Sequence, residues 1–245
     1  MQDILQLETQ QAHFNPAFNT LVHDGWVLRL SQGYSLCTDS VWALRQGDIG
    51  MHDKVQFCEE QFQLQHLACT FRLTPLAHQQ PLDSYLRRSG YRTAESGRVL
   101  TRPLTLTKAR TTAEHLKTLP LTRWLDLCYR LNPEDRSGQR LQQEQLLSLV
   151  ELPMWCAVIE AEGIAVGYGR AIQSGTHLYL DDVWLAPDWR RRGHGRRLLA
   201  GLQRFGQAQG ATLACLTVSD ANIKANAFFQ QAGFSLAYPY HYLQR

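Results

Sequence analysis

Apolar and polar positions along this chain switch between a period near two and a period near 3.6, and the switch points lay out its elements. The first twenty residues carry a short helix or arm around Leu5, Leu7 and Phe14. Gly25-Trp26-Val27-Leu28-Arg29-Leu30 is strand-like, Ser31-Gln32-Gly33 offers a turn, and Tyr34–Leu44 returns as a second strand. Val55, Cys58, Phe62 and Gln65 recur at helical spacing, and His66–Leu73 is a strand stopped by Thr74-Pro75. Leu82 and Leu86 before Gly90-Tyr91 mark another helix, and Arg98–Leu104 closes this half as a strand. The second half repeats the order. Ala113–Leu131 reads as a helix with Leu121, Trp124, Leu125, Cys128 and Tyr129 on one stripe, ended by Asn132-Pro133. Leu141–Val150 is a second helix, and Trp155–Glu160 with Ile164–Ile172 is a hairpin around Glu162-Gly163. Leu213–Val218 is a buried strand and Asn222–Ala232 a helix ended by Gly233. A last aromatic strand runs from Phe234 through Tyr238, Tyr240 and Tyr242.

One stretch carries more chemistry than the rest. Leu178 to Pro187 is apolar enough for a buried strand, and Pro187 ends it. Arg190-Arg191-Arg192-Gly193-His194-Gly195-Arg196-Arg197 follows, and then Leu198, Leu199, Leu202 and Phe205 fall at helical spacing. A strand, a glycine-containing turn and a helix bring several unpaired backbone N–H groups to one point, where the helix adds partial positive charge. Gly193 and Gly195 let the backbone curl around an anion, and arginines surround the turn. The segment reads as a pyrophosphate cradle. Its spacing is neither the dinucleotide fingerprint nor the P-loop.

Arg190-x-x-Gly193-x-Gly195 resembles the Arg/Gln-x-x-Gly-x-Gly/Ala signature of the GNAT superfamily of N-acetyltransferases, placed after the strand where that family has it. The resemblance implies an α/β (mixed α+β) fold: a mixed, mostly antiparallel sheet with flanking helices, whose central strands splay to admit a pantetheine arm. It places acetyl-CoA against Val183, Trp184 and Leu185, and against Arg190, Arg191, Arg192, Gly193, His194, Gly195 and Arg196. Asn222 and Phe229 complete the set, because Asn222-x-x-Ala225-x-x-Phe228-Phe229 matches the family's Asn-x-x-Ala-x-x-Phe-Tyr block. Asn222 also reads as a helix N-cap. The implied reaction is attack of a neutral amine on the thioester, with a carboxylate taking the proton. Asp182 is the leading base and Asp181 the next, since strand neighbours face opposite sides and a bulge would swap them. Ion pairing with arginines is the structural reading of both. A backbone N–H near Val183 to Leu185 is placed to steady the oxyanion.

Phe229 departs from the family's Tyr, the expected acid for the leaving thiolate. Three readings stand: the thiolate leaves unassisted, another hydroxyl such as Tyr240 substitutes, or catalysis is lost.

The halves can be laid on each other through Leu67-Ala68-Cys69 with Gly90-Tyr91 and Leu213-Ala214-Cys215 with Gly233-Phe234. This suggests two tandem GNAT-like units, residues 1–105 and 106–245, the first degenerate. Where a cradle is expected the first has Arg45-Gln46-Gly47-Asp48-Ile49-Gly50, and Asp48 would repel a diphosphate.

Composition narrows the partners. The net charge is only +3, and much of the positive charge sits in 190–197, which suits one small polyanion better than nucleic acid. Apolar content of 44% and charged content of 19% describe a globular protein, with no apolar run long enough to span a bilayer. No secretory signal is visible at the N-terminus. The six cysteines show no Cys-x-x-Cys pair and read as reduced thiols, without a metal, in the cytoplasm. The expected function is acetyl-CoA-dependent acetylation of a primary amine on a small molecule, amino acid or peptide. The acceptor is to be selected around Asn132–Gly138 together with the last strand and the first unit; Glu134 and Asp135 read first as a solvated helix–helix loop and alternatively as a pair that attracts an ammonium group. The alternative is a non-catalytic acyl-CoA-binding or sensing protein.

Overall fold

The strand-like run at Trp26 is half of a hairpin in the computed structural model, which describes residues 4–105, 116–133 and 139–245. Strands β1 (Asn19–His23) and β2 (Trp26–Leu30) pair antiparallel through Asp24-Gly25, both at positive φ, the turn that matches strand twist. Helix α1 (Ile4–Phe14) precedes them. Strand β3 (Val41–Trp42) pairs with β2, and helix α2 (Met51–Leu64) crosses over to β4 (Thr70–Leu73), which runs parallel to β3. Helix α3 (Gln80–Arg88) and the long strand β5 (Arg92–Pro103) follow. Of the strand expected over Tyr34–Leu44 only β3 forms. The preceding residues turn about Asp39, whose carboxylate accepts the N–H groups of Ser31, Gly33 and Ser35.

In the second half, β6 (Lys117–Thr118), β7 (Met154–Ala161), β8 (Ile164–Ser174) and β9 (His177–Leu185) form an antiparallel meander. Helices α4 (Leu121–Leu131) and α5 (Arg140–Ser148) lie between β6 and β7 in sequence. Helix α6 (His194–Ala208) carries the chain from β9 to the parallel strand β10 (Leu213–Ser219). Helix α7 (Ile223–Gln231) and β11 (Ser235–Gln244) end it. The helix expected to start at Ala113 begins at Leu121 instead. Pro120 stands at its N-cap, and Lys117 and Thr118 pair with Val158 and Ala157 as β6. Residues 113–115 and the proposed acceptor pair Glu134 and Asp135 lie outside the described residues.

Contacts divide the chain into two units, each discontinuous in sequence. The first takes Met1–Val99, Val218–Ala227 and Leu236–Arg245; the second takes Leu100–Thr217 and Phe228–Ser235. The last aromatic strand falls in the first unit, where β11 pairs antiparallel with β4, His241 opposite Leu73 and Gln244 opposite Thr70. The first unit's core gathers Leu28, Val41, Cys58, Phe62, Phe71, Leu86 and Leu243. The second's gathers Trp124, Leu125, Cys128, Val158 and Tyr168, with the Trp124 indole N–H donating to the Ala157 carbonyl at 3.1 Å. Each unit holds a parallel strand–helix–strand crossover, β3–α2–β4 in one and β9–α6–β10 in the other, beside antiparallel strands. No helix of the described residues is long and apolar enough to cross a membrane.

Candidate active site

The site of the second unit is built where β9 and β10 part. Their ladder has rungs only from His177–Leu213 to Tyr179–Cys215. Past that point the β9 edge is left without β10, while the Tyr179 hydroxyl still meets Thr217 Oγ1 at 3.1 Å. Strand edges that separate leave N–H and C=O groups for an added ligand to pair.

On its other edge β9 carries a bulge. Arg170 lies opposite Asp181 and Tyr168 opposite Trp184, so Asp182 and Val183 together face the single residue Gly169. Asp182 takes φ of 53°, a left-handed conformation that a bulge accommodates. The bulge resets the alternation of side chains. Asp181 and Asp182 both reach the guanidinium of Arg170, Asp181 through Oδ2 and Asp182 with Oδ2 3.4 Å from Nε. Arg170 is 3% exposed. Burial opposes its charge, and the Asp181 and Asp182 carboxylates outweigh that opposition and raise its pKa. The ion pairing expected for the two aspartates is therefore present, with Arg170. Asp181 Oδ1 also accepts the Asp182 N–H at 2.9 Å, and Val183 is left out of the β8–β9 ladder.

The loop beyond β9 is open. Gly193 is the N-cap of α6 at φ of 85°, and a Cβ placed there would meet nothing within 4 Å. Gly195 is tightly placed for another reason: a Cβ there would lie 3.2 Å from the Phe228 ring and 3.3 Å from the Leu185 side chain. The α6 ladder begins with the Arg197 N–H on the Gly193 carbonyl, so the amides before it have no partner within the helix. Arg190 does not stand free in this loop. Its Nε–H donates to the Leu185 carbonyl at 2.9 Å and ties the loop to the end of β9. Arg192 lies over the Trp189 ring at 5.2 Å, and His194, 8% exposed, packs edge-on to that ring. Arg191 and Arg196 are exposed.

The remaining expected residues have local roles. Trp184 stacks on Tyr168 at 5.2 Å, leaving its backbone for any contact with a ligand. Asn222 caps α7, its Oδ1 accepting the Ala225 N–H at 3.1 Å. Phe229 is 8% exposed, between Phe228 and Phe234, and supplies no hydroxyl. Tyr240 lies 3.8 Å from the Arg72 guanidinium within the first unit, and burial pushes its phenol up to about 12. Two residues escaped the sequence reading. Arg170 had a signal, a lone cation in the apolar run Val166–Ile172. Asn226 had none: it donates to the Ser219 and Asn222 carbonyls, and its buried Oδ1 has no hydrogen-bond partner among the described residues.

The first unit's counterpart loop is closed. Gly47 there has φ of 70°, and the loop wraps the carboxylate of Asp24. Asp48 contributes its backbone N–H, so the acid at the centre is Asp24 and not Asp48. The Asp48 and Ile49 amides, and then Lys54, lower the Asp24 pKa to about 2. A carboxylate depressed below its unfolded value of roughly 3.9 stabilises the fold above that pH and ceases to as pH falls through 2. Denaturation of the chain between pH 5 and pH 2 is expected to show a weaker pH dependence in Asp24→Asn than in wild type. Identical slopes would remove this role from Asp24.

A mixed sheet with an open βα loop at a helix N-terminus beside parting strands defines the class, a GNAT-type acyltransferase fold. Residues 119–234, in the second half of the chain, match the model of the acetyltransferase (GNAT) family. Among solved structures, a GCN5-related N-acetyltransferase from Kribbella flavida is 13% identical with a TM-score of 0.71, covering 100% of this chain and 96% of that one. A conserved protein of unknown function from Staphylococcus epidermidis is 11% identical with a TM-score of 0.67, covering 93% of each. A tandem GNAT protein from the clavulanic acid biosynthesis pathway is 14% identical with a TM-score of 0.60, covering 79% of this chain and 69% of that one. These likenesses bear on the fold, and the last has the two-unit arrangement. No curated protein matches.

Proposed function

We propose that the second unit is an acetyl-CoA-dependent N-acetyltransferase that acetylates a primary amine of a small molecule, amino acid or peptide by direct attack in a ternary complex. The observation that carries the reading is the open, arginine-rich turn at Gly193, where a Cβ would meet nothing within 4 Å, next to strands that have just parted. A diphosphate fits that turn: amides of the first helical turn, the α6 dipole and the exposed Arg191 and Arg196 all favour it. Bound there, acetyl-CoA supplies the thioester that the amine attacks.

The chain's own groups do the rest. An alkylamine with pKa of about 10.4 is mostly protonated at neutral pH, so a carboxylate that holds the ammonium and takes its proton speeds the step. Asp182 is assigned that role. Asp181 has both oxygens engaged, one on Arg170 and one on the Asp182 amide, whereas Asp182 meets Arg170 at the longer 3.4 Å. The Val183 amide, outside the ladder, is the donor at hand for the carbonyl oxygen. Free thiols at all six cysteines, most of them buried, suit a reducing compartment such as the cytoplasm.

The test is release of free thiol across a panel of amines. Asp182→Asn is expected to lower kcat by about a hundredfold, within the usual range for removing a general base. Asp181→Asn is expected to act mainly on stability. An Asp182→Asn enzyme within about threefold of wild type would remove the base assignment. Phe229 favours one second reading, an acyl-CoA sensor, because the position usually held by a tyrosine is apolar core. Tight binding with no thiol released on any amine would give that reading.

A further inference from the structure

The crossovers β3–α2–β4 and β9–α6–β10 have the same construction, yet the loop before α2 and the ends of β3 and β4 are both filled by side chains, whereas a Cβ on Gly193 before α6 would meet nothing within 4 Å. At the first point, the loop before α2, a Cβ on Gly47 would lie 2.2 Å from the Asp24 carbonyl and from its Oδ2. Asp24 Oδ1 accepts the Asp48 N–H at 3.0 Å, and Oδ2 accepts the Ile49 N–H at 2.8 Å. Lys54 Nζ, on a side chain 1% exposed, sits 3.0 Å from Oδ2 and donates to the Asp24 and Gln46 carbonyls at 2.6 and 2.7 Å. Two amides, a helix N-terminus and a buried cation thus hold one carboxylate.

The second point is the place where β3 and β4 end. Gln79, 3% exposed, spans it. Its Nε2–H donates to the Ala43 carbonyl at 2.8 Å, and its Oε1 accepts the Thr74 N–H at 2.7 Å and the Thr74 hydroxyl at 3.2 Å. His78 Nε2 meets the same Ala43 carbonyl at 2.8 Å. A side-chain carboxamide here does what a peptide-like amide does when it pairs two strand edges.

We propose that the first unit keeps a groove of the shape that binds acyl-CoA but fills it in cis, the Asp24 carboxylate standing where a diphosphate would sit and the Gln79 carboxamide where an amide of the pantetheine arm would. The comparison with acyl-CoA rests on the function proposed for the second unit; the anion cradle around Asp24 does not. A tethered carboxylate acts at an effective concentration in the millimolar range or above and also repels a second anion, so the wild-type loop takes no free diphosphate. The chain then binds one acyl-CoA. Removing Asp24 leaves Lys54 and two amides without their anion, and pyrophosphate is the ligand that suits them.

The experiment is a pyrophosphate titration of the isotope-labelled full chain, read at individual backbone amides. In Asp24→Gly, which the left-handed φ of 44° tolerates, the Asp48 and Ile49 amides are expected to shift saturably, at a midpoint at least tenfold below any in wild type. Asp24→Asn, which keeps the turn and removes the charge, is the second variant should glycine loosen the hairpin. Matching shifts at Asp48 and Ile49 in wild type, or none in either folded variant, would overturn the cradle. Calorimetry with acetyl-CoA tests the groove: one site per chain supports it, and two sites overturn it. Silence of the Gly193 and Gly195 amides and no binding of acetyl-CoA would defeat the proposed function alone, since the Asp48 and Ile49 amides report the first unit separately.

Discussion

Acetyl-CoA binding is expected to fall below detection when Gly193 and Gly195 are both replaced by valine, at least a hundredfold loss of affinity and so about 2.7 kcal/mol or more. The two substitutions act by different routes. At Gly193 the space is open, so the effect comes from the backbone: φ of 85° is costly for any residue with a Cβ and most costly for a β-branched one. The loop relaxes toward negative φ and turns its amides away from the anion. At Gly195 a Cβ already stands 3.2 Å from Phe228 and 3.3 Å from Leu185, so valine must push the start of α6 off β9 and α7. Gly193→Ala should do least, with roughly a five- to tenfold rise in Kd from about 1 kcal/mol of backbone strain. Calorimetry on the folded variants reads both, and a double valine variant with wild-type affinity would contradict the cradle.

Glu8→Ala is expected to cost the first unit about 3–5 kcal/mol, the usual penalty for stripping one partner from a buried ion pair. Glu8 and Arg72 are each 1% exposed at the side chain, joined by two contacts of 2.8 Å. The Tyr238 hydroxyl donates to Glu8 Oε1 at 2.8 Å, and the guanidinium lies 3.8 Å from the Tyr240 ring centre and donates to the Tyr242 hydroxyl at 3.1 Å. Without Glu8 a fully buried cation faces aromatic rings and loses the anion that sustains its charge. Since a domain has only about 5–15 kcal/mol of stability, urea denaturation should move to a much lower midpoint. The double variant Glu8→Ala, Arg72→Leu should recover much of the loss, because the charge left behind is then gone too. A single variant that loses less than about 1 kcal/mol, a value ordinary for a surface pair, would show that the pair is not buried in solution.

What could be read from the sequence was whatever neighbours in the chain decide. Gly193 and Gly195 lie within a few residues of the strand they follow and the helix they start, so the turn, its charge and its backbone freedom were visible together. The same holds for the Glu162-Gly163 hairpin and for the α7 cap, where Asn222 serves the Ala225 amide three residues on. Pairings across strands were not visible. The bulge at Asp182 depends on Gly169 lying opposite it, and that register sends both aspartates to Arg170. Asp24 reaches a loop more than twenty residues away, so the sequence reading gave the repelling role to Asp48, which only lends its amide. The final aromatic strand was legible as a strand, but not its partner β4. Lys117 and Thr118 carry no apolar period of their own, and the edge of β7 recruits them as β6.

Hydrogen exchange of the backbone amides from Arg191 to Arg197, with and without saturating acetyl-CoA, tests the central claim most directly. If those amides and the α6 N-terminus hold a diphosphate, exchange there slows by at least about tenfold on binding, which corresponds to about 1.4 kcal/mol. Acetyl-CoA that binds while every amide in that turn exchanges at its free rate would place the coenzyme elsewhere and contradict the account.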